Sequence, residues 1–379
     1  MTQPAAQRQR MLRQAPAPAR LPEGLDVTDA RIINHLQDGL PLTLTPFADA
    51  ARALGLTEDE LLSRLRRLLE AGFITRLGPL INADAAGGAY MLAALAVPPE
   101  RFEEVAAQVN AHDEVAHNYA RDHHWNMWFV LAAPSMARVR AVADEIERET
   151  GLPVLRLPKL AEYFVHFRLR LPLPDQEQPR MDDASPALAP PPRQHGDSPL
   201  EAADRRLLGV IESGLPLRAD VWAEVGRRAG LPAPRVPARL RRLQAAGVIR
   251  RVALVPHHFR LGWRANGMTV WDVDDARIDE LGRRVGALPF VSHCYRRPRQ
   301  KGWRYNLFAM VHGQTRAQML EQVAQVARVL GGAARAHEVL RSTRILKKSG
   351  VRLFSLPENA TPAHTTPDDA TSSNVTAGK

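Results

Sequence analysis

Histidine, tyrosine and arginine alternate at two places in the chain, His117-x-Tyr119-x-Arg121 and His293-x-Tyr295-x-Arg297. On a β-strand successive side chains point to opposite faces, so each triplet shares one side. That face carries a group that titrates near neutrality, an aromatic platform and a fixed cation. The first triplet continues through Asp122, His123, His124, Trp125, Asn126, Met127 and Trp128, with His123 in register as the strand runs out. The second is followed by Arg299, Lys301, Trp303 and Arg304 and then Tyr305-Asn306-Leu307-Phe308, so an aromatic-Asn pair follows both triplets. Arg299 stands opposite His123. A lone histidine or tryptophan at such positions is ordinary edge or core; the repeated constellation is what points to a site. Flat aromatics, several guanidiniums and imidazoles suit a planar polycarboxylate, because arginine forks pair with carboxylates and rings stack on a macrocycle. His123 and His124 are adjacent and point apart, and no Cys or carboxylate completes a metal set, so no metal site is expected. His257-His258 is expected at the surface, and Cys294, the only cysteine, as an inert thiol outside any disulfide.

The elements that must hold these residues come from a duplication. Shifting the sequence by 175 positions aligns residues 25–76 with 200–251 at 20 identities in 52 positions without a gap. In the first copy, helices are expected over Asp29 to Leu36, Pro46 to Leu54, and from a T-x-x-E capping box at Thr57 and Glu60 to Gly72. A short strand Phe73 to Arg76 and a Gly78-Pro79 turn complete a winged helix-turn-helix. The pattern then alternates: a strand from Ala89 to Val97, a helix from Pro99 to Asn110, strands Val115 to Arg121 and Trp125 to Ala132, a helix Ser135 to Thr150, and a strand Val154 to Phe167. This is the βαββαβ order of a ferredoxin-like domain, and the second copy repeats it to a strand near Val339 to Leu346. The expected class is α+β: winged helices at 25–82 and 198–257, ferredoxin-like domains at 83–172 and 258–357, a proline-rich linker at 173–197 and disordered tails at 1–24 and 358–379.

The chain has 379 residues, 45% of them hydrophobic and 24% charged, enough for several real cores and unlike a disordered chain. It lacks an apolar run of membrane-spanning length, and its first 20 residues have Arg, Gln and Pro where a signal peptide needs an apolar core, so a soluble cytoplasmic protein is expected. The formal charge of +10 is uneven. Residues 25–172 hold 15 basic and 20 acidic side chains, and residues 198–357 hold 29 and 12. Such a basic half suits nucleic acid or a polyanionic small molecule.

Each copy resembles the Lrp/AsnC transcription regulators, which join this winged helix to an α+β ligand-sensing domain. DNA reading is disfavoured, though not excluded, by the residues. Copy two has Pro232, Pro234 and Pro237 at the start of the helix that would enter the major groove, and copy one places Glu58, Asp59 and Glu60 against the phosphates. Arg64, Arg66, Arg67, Arg239, Arg241 and Arg242 are the best support for it. The paired triplets and the R-R-P-R-x-x-x-W-x-Y-N-L-F-A-M-V-H-G segment are similar to the siroheme decarboxylases, specifically the fused two-subunit form of d-type haem synthesis. That resemblance implies removal of CO2 from two ring acetates of siroheme, without an added cofactor, and a homodimer. On it, His117 and His123 are expected as general acids and Arg121 as the carboxylate holder. Tyr119, Trp125, Asn126, His293, Tyr295, Arg296, Arg297, Arg299, Trp303, Tyr305 and Asn306 are expected to bind substrate. The rival reading is a tetrapyrrole-sensing regulator.

Overall fold

The computed structural model describes residues 21–166, 168–173, 200–349 and 352–354. The expected linker, Leu173 apart, and the expected tails, apart from residues 21–24, lie outside the described residues. Copy one begins with α1 (Val27–Leu36), α2 (Pro46–Leu54) and α3 (Glu58–Glu70), and copy two with α6 (Ala202–Ile211), α7 (Val221–Ala229) and α8 (Arg235–Ala245). Apolar residues at helical spacing, such as Leu61, Leu65 and Leu68, are fully buried in one core shared by both winged helices. Helix α3 starts on the Thr57 side chain, which accepts from the Glu60 N–H at 3.2 Å, but the reciprocal half of the capping box is absent. Glu60 instead receives Arg64 at 3.1 Å. Helix α8 begins only at Arg235 after Pro234, and it is 11 residues long against 13 for α3.

The expected Gly78-Pro79 turn does not form. Both residues lie inside β1 (Ile74–Ile81), which pairs antiparallel with β7 (Ile249–Pro256) of the other copy in a two-stranded ribbon. Proline is tolerated there because the ribbon's strands each have an unpaired edge. Glycine is favoured because a Cβ at Gly78 would crowd the Gly214 Cα at 3.0 Å.

The ferredoxin-like parts contribute β2 (Ala89–Leu95), α4 (Phe102–Ala111), β3 (Val115–Arg121), β4 (Met127–Ala133), α5 (Met136–Thr150), β5 (Leu155–Pro158) and β6 (Ala161–Val165) from copy one. Copy two contributes β8 (Ala265–Val273), α9 (Ile278–Gly286), β9 (Val291–Arg296), β10 (Leu307–Gly313), α10 (Arg316–Leu330) and β11 (Ala334–Lys348). Their strands form one nine-stranded sheet, ordered β5-β2-β4-β3-β11-β8-β10-β9-β6. The last strand of each copy is therefore shared. The first half of β11 pairs with β8 and its second half with β3, while the single strand expected over Val154 to Phe167 divides into β5 on β2 and β6 on β9. Because β5 and β6 are consecutive in the chain, the sheet closes on itself as two faces joined by crossing strands. The outer faces bury Met91, Ala93 and Phe129, or Trp271, Leu307 and Val311, against their own helices. Between the faces lies a mixed core of Leu92, Trp128 and Leu157 from copy one with Met268, Trp303, Phe308 and Leu340 from copy two.

Candidate active site

Strand parity turns both triplets toward the mixed core between the two faces of the sheet. Tyr119 is the register partner of Trp128, and Tyr295 of Phe308, so each triplet faces the mixed core. The guanidinium of Arg121 lies 5.7 Å from the Tyr119 ring centre and that of Arg297 lies 5.1 Å from Tyr295. Each arginine also reaches across the duplication: Arg121 Nη1 donates to the Leu340 carbonyl at 2.7 Å, and Arg297 Nη1 to the Leu157 carbonyl at 2.5 Å. Neither has a carboxylate partner among the described residues, and the Nε of each is buried without an acceptor. Burial lowers both to about 10. An unneutralised buried cation is expensive, and it is retained where an anion arrives to pair with it.

Residues of the ribbon and of the crossing strands crowd the two histidines of the triplets. His117 is pushed down to about 3 by burial, then by Lys348, Arg76 and His293, and its Nδ1 is buried without a partner. Burial and Arg76 lower Lys348 to about 8. His293 is lowered to about 4 by burial, with Glu162 opposing and Arg250 and His166 adding to the effect. Glu162 itself accepts from Arg250 at 2.6 Å and Lys159 at 2.8 Å. His257 is half-buried, and His258 is not at the surface as expected. His258 is buried, lowered by burial to about 2, and its ring centre lies 6.0 Å from that of His312. A sequence segment after a strand says nothing about which neighbouring chain covers it, and copy one has Asn82-Ala83 there as no guide. His312 had a legible signal, since it alternates with Phe308 and Met310 on β10. Glu162, Lys348 and Arg76 had none.

At one end of the mixed core, His123 Nε2 lies 2.6 Å from Glu338 Oε2, and Tyr305 Oη donates to the other oxygen at 2.7 Å. The Trp125 N–H donates to His123 Nδ1 at 3.0 Å, which leaves the ring proton on Nε2, facing the carboxylate. Trp303 packs its ring 6.0 Å from His123 and 5.2 Å from Trp128, with Tyr305 5.0 Å away. Trp125 is half-buried beside this group, and its carbonyl accepts from Trp128 Nε1. Glu338 was missed because it sits on the far copy's last strand.

Four expected substrate ligands have other work. Asn126 Oδ1 accepts from the Val97 N–H at 2.9 Å and its Nδ2 donates to the Val97 carbonyl at 2.8 Å. Asn306 makes the same pair of bonds to Val273, both at 2.9 Å. The recurring asparagine thus ties the third strand of each unit to the end of the first. Arg296 has the opposite parity and points to Asp279 on α9 at 3.5 Å. Arg299 is held by Asp272 and Asp275, both at 2.7 Å, so it is already neutralised. Five of the six arginines named in support of DNA reading are likewise engaged. Arg64 and Arg67 pair with Asp29, Arg239 and Arg242 with Asp204, and Arg66 donates to the Leu217 carbonyl.

Two fused winged-helix and ferredoxin-like units around a cluster of buried cations and imidazoles define a protein on the Lrp/AsnC scaffold. The AsnC-like ligand binding domain matches residues 86–163 and 260–347, and the siroheme decarboxylase NirDL-like HTH domain matches residues 29–74. The chain is 32% identical over 335 residues to the siroheme decarboxylase NirDL subunit of Paracoccus denitrificans, covering 87% of this chain and 98% of that relative. It is 57% identical over 153 residues to the siroheme decarboxylase NirH subunit of Stutzerimonas stutzeri, which spans 40% of this chain and 91% of that subunit. The crystal structure of the siroheme decarboxylase NirDL superposes with a TM-score of 0.62 at 28% identity, covering 87% of this chain and 95% of that one. The chain belongs to the siroheme decarboxylase family, in the fused two-copy form that NirDL represents. No helix among the described residues is long and apolar enough to cross a membrane.

Proposed function

We propose that this chain decarboxylates two acetate side chains of siroheme, giving 12,18-didecarboxysiroheme for haem d1 synthesis in the cytoplasm. The observation that carries the reading is the set of buried cations without carboxylate partners, Arg121, Arg297 and Arg76, facing aromatic walls and histidines. An iron-uroporphyrin III analogue is bound in a crystal structure of NirDL, with a TM-score of 0.61 to this chain, which supports a tetrapyrrole in the equivalent space.

Arg121 and Arg297 grip substrate carboxylates in a low-dielectric space, where charge-assisted bonds are strong. The C–CO2 bond breaks, its electron pair passes into the conjugated macrocycle, and a proton from histidine completes the methyl group. His117 and His123 are the proton donors. Burial, Lys348 and Arg76 keep His117 neutral, and an arriving carboxylate offsets these cations and raises its affinity for a proton. His123 is oriented by Glu338 and the Trp125 N–H. The iron is part of the substrate, and the reaction uses no added cofactor.

Anaerobic incubation with siroheme, followed by mass spectrometry, should show loss of two CO2. His117→Ala and His123→Ala should each lower the rate at least about tenfold while siroheme still binds, since general acid catalysis contributes about 10²- to 10⁴-fold. Intact siroheme after incubation with the unaltered chain would sink the reading in favour of a sensor.

A further inference from the structure

Beyond His117 and His123, the buried cluster contains a hydrogen-bonded string in copy two alone. Asn266 Nδ2 donates to the Trp263 carbonyl at 2.8 Å, which fixes the amide with Oδ1 turned to His312. His312 Nδ1 lies 2.8 Å from that oxygen, His312 Nε2 lies 2.7 Å from Ser292 Oγ, and Ser292 Oγ lies 2.9 Å from His293 Nδ1. A carbonyl oxygen only accepts, so the direction of every proton follows. His312 carries its proton on Nδ1 and accepts at Nε2; Ser292 donates there and accepts from His293; His293 is therefore protonated on Nδ1. Its Nε2 has no hydrogen-bond partner among the described residues.

We infer that Asn266, His312 and Ser292 are positioning residues that hold His293 as the Nδ1–H tautomer and make its Nε2 a second proton carrier of the decarboxylation. This deepens the proposed function and rests on it. When a carboxylate-bearing substrate enters, Nε2 takes up a proton. The imidazolium keeps the same bond to Ser292, and Ser292 the same bond to His312, so no reorganisation accompanies the change of charge. The Nε2 proton then forms the new C–H bond as the C–CO2 bond breaks. CO2 leaves, and the ring returns to the neutral tautomer the string enforces. Atoms and charge balance without an oxidant or reductant.

The groups facing these rings set when this happens. Glu162, Arg250, His166 and His117 surround His293, while Lys348, Arg121, His293 and His258 surround His312. In copy one the positions of Ser292, His312 and Asn266 are taken by Ala116, Ala132 and Tyr90. Hence His117 has a bare Nδ1 where His293 has a string.

Ser292→Ala is a mild change, because copy one holds alanine there. In the substrate-free protein, ¹⁵N NMR of the imidazoles, with the His293 signals assigned by loss in His293→Gln, should show Nδ1 protonated. In Ser292→Ala that preference should collapse toward a mixture. With siroheme, kcat should fall about tenfold with KM changed less than twofold, and the acidic limb of the kcat–pH profile should move; Ser292→Thr should restore both. An unchanged ring signature in Ser292→Ala overturns the string. A changed signature with unchanged kcat and pH profile overturns its part in the reaction. Siroheme left intact by the unaltered chain removes the decarboxylase reading and this catalytic role together, while the ring signature still decides whether the string sets the tautomer.

Discussion

The two His-x-Tyr-x-Arg strands are alike in sequence and in placement, yet their surroundings differ. Around His117 stand Lys348 and Arg76, with Ile345 beside Tyr119 where β6 places Glu162 beside Tyr295. Around His293 stand an acid–base pair, Glu162 and Arg250, and a neutral relay. Duplication preserved the strands that carry the triplets, while the crossing strands and the ribbon around them diverged. His117 is thus crowded by cations, whereas His293 is held in a hydrogen-bonded string beside an acid–base pair. A similar divergence separates the ends of the core, where His123 meets Glu338 but its counterpart Arg299 is spent on Asp272 and Asp275.

The comparison is broken most directly at the arginines. Arg121→Met and Arg297→Met should each weaken siroheme binding about a hundredfold or more, because removing one partner of a buried charge pair costs roughly 2–5 kcal/mol. Both variants should keep or raise their melting temperature, since each loses an unneutralised buried charge. Coupled loss of binding and of folding would make these arginines structural. At the ends of the core, Glu338→Gln should lower kcat about tenfold by releasing His123. Arg299→Ala should leave turnover of the folded enzyme unchanged, and equal losses in both would erase the asymmetry.

The two asparagines test what the copies still share. Asn126→Ala and Asn306→Ala should each destabilise the fold by about 1–3 kcal/mol in urea titrations, with near-normal turnover of folded protein. A selective loss of siroheme affinity in either would return it to the binding site. A further comparison lies in protons. Burial holds His117 and His312 near 3, His166, His257 and His293 near 4, and His258 near 2. Unfolded histidines titrate near ~6.5, so below that pH the unfolded chain binds more protons than the native one. Stability should therefore fall as pH drops from 6.5 towards 4, by up to roughly 1.4 kcal/mol per unit and ring. Siroheme binding at pH 7 should reverse part of this and take up protons, read by calorimetry in two buffers of different ionisation enthalpy. Zero uptake would mean that the histidines stay neutral in the complex.

Much of this was legible from residue order alone. The 175-residue repeat, the helix starts at Pro46 and after Thr57, and the shared face of His117, Tyr119 and Arg121 all follow from local periodicity and strand parity, which fix which way a side chain points. The parity argument also separated Arg297 from Arg296, although both were expected to bind substrate. What parity does not contain is the identity of the neighbour across the gap. Glu338 beside His123 and Lys348 beside His117 come from β11, far along the chain, which pairs with both copies, while His312 meets Ser292 from the neighbouring strand of the same copy. Hydrogen bonding likewise decided that Asn126 and Asn306 clamp backbone and that Gly78-Pro79 runs straight. Residue types and spacing thus determined the chemistry available to this protein, because a side chain's donors and charge are its own. The tertiary structure decided which histidine is bare and which is wired, because tautomer and proton affinity belong to the surroundings.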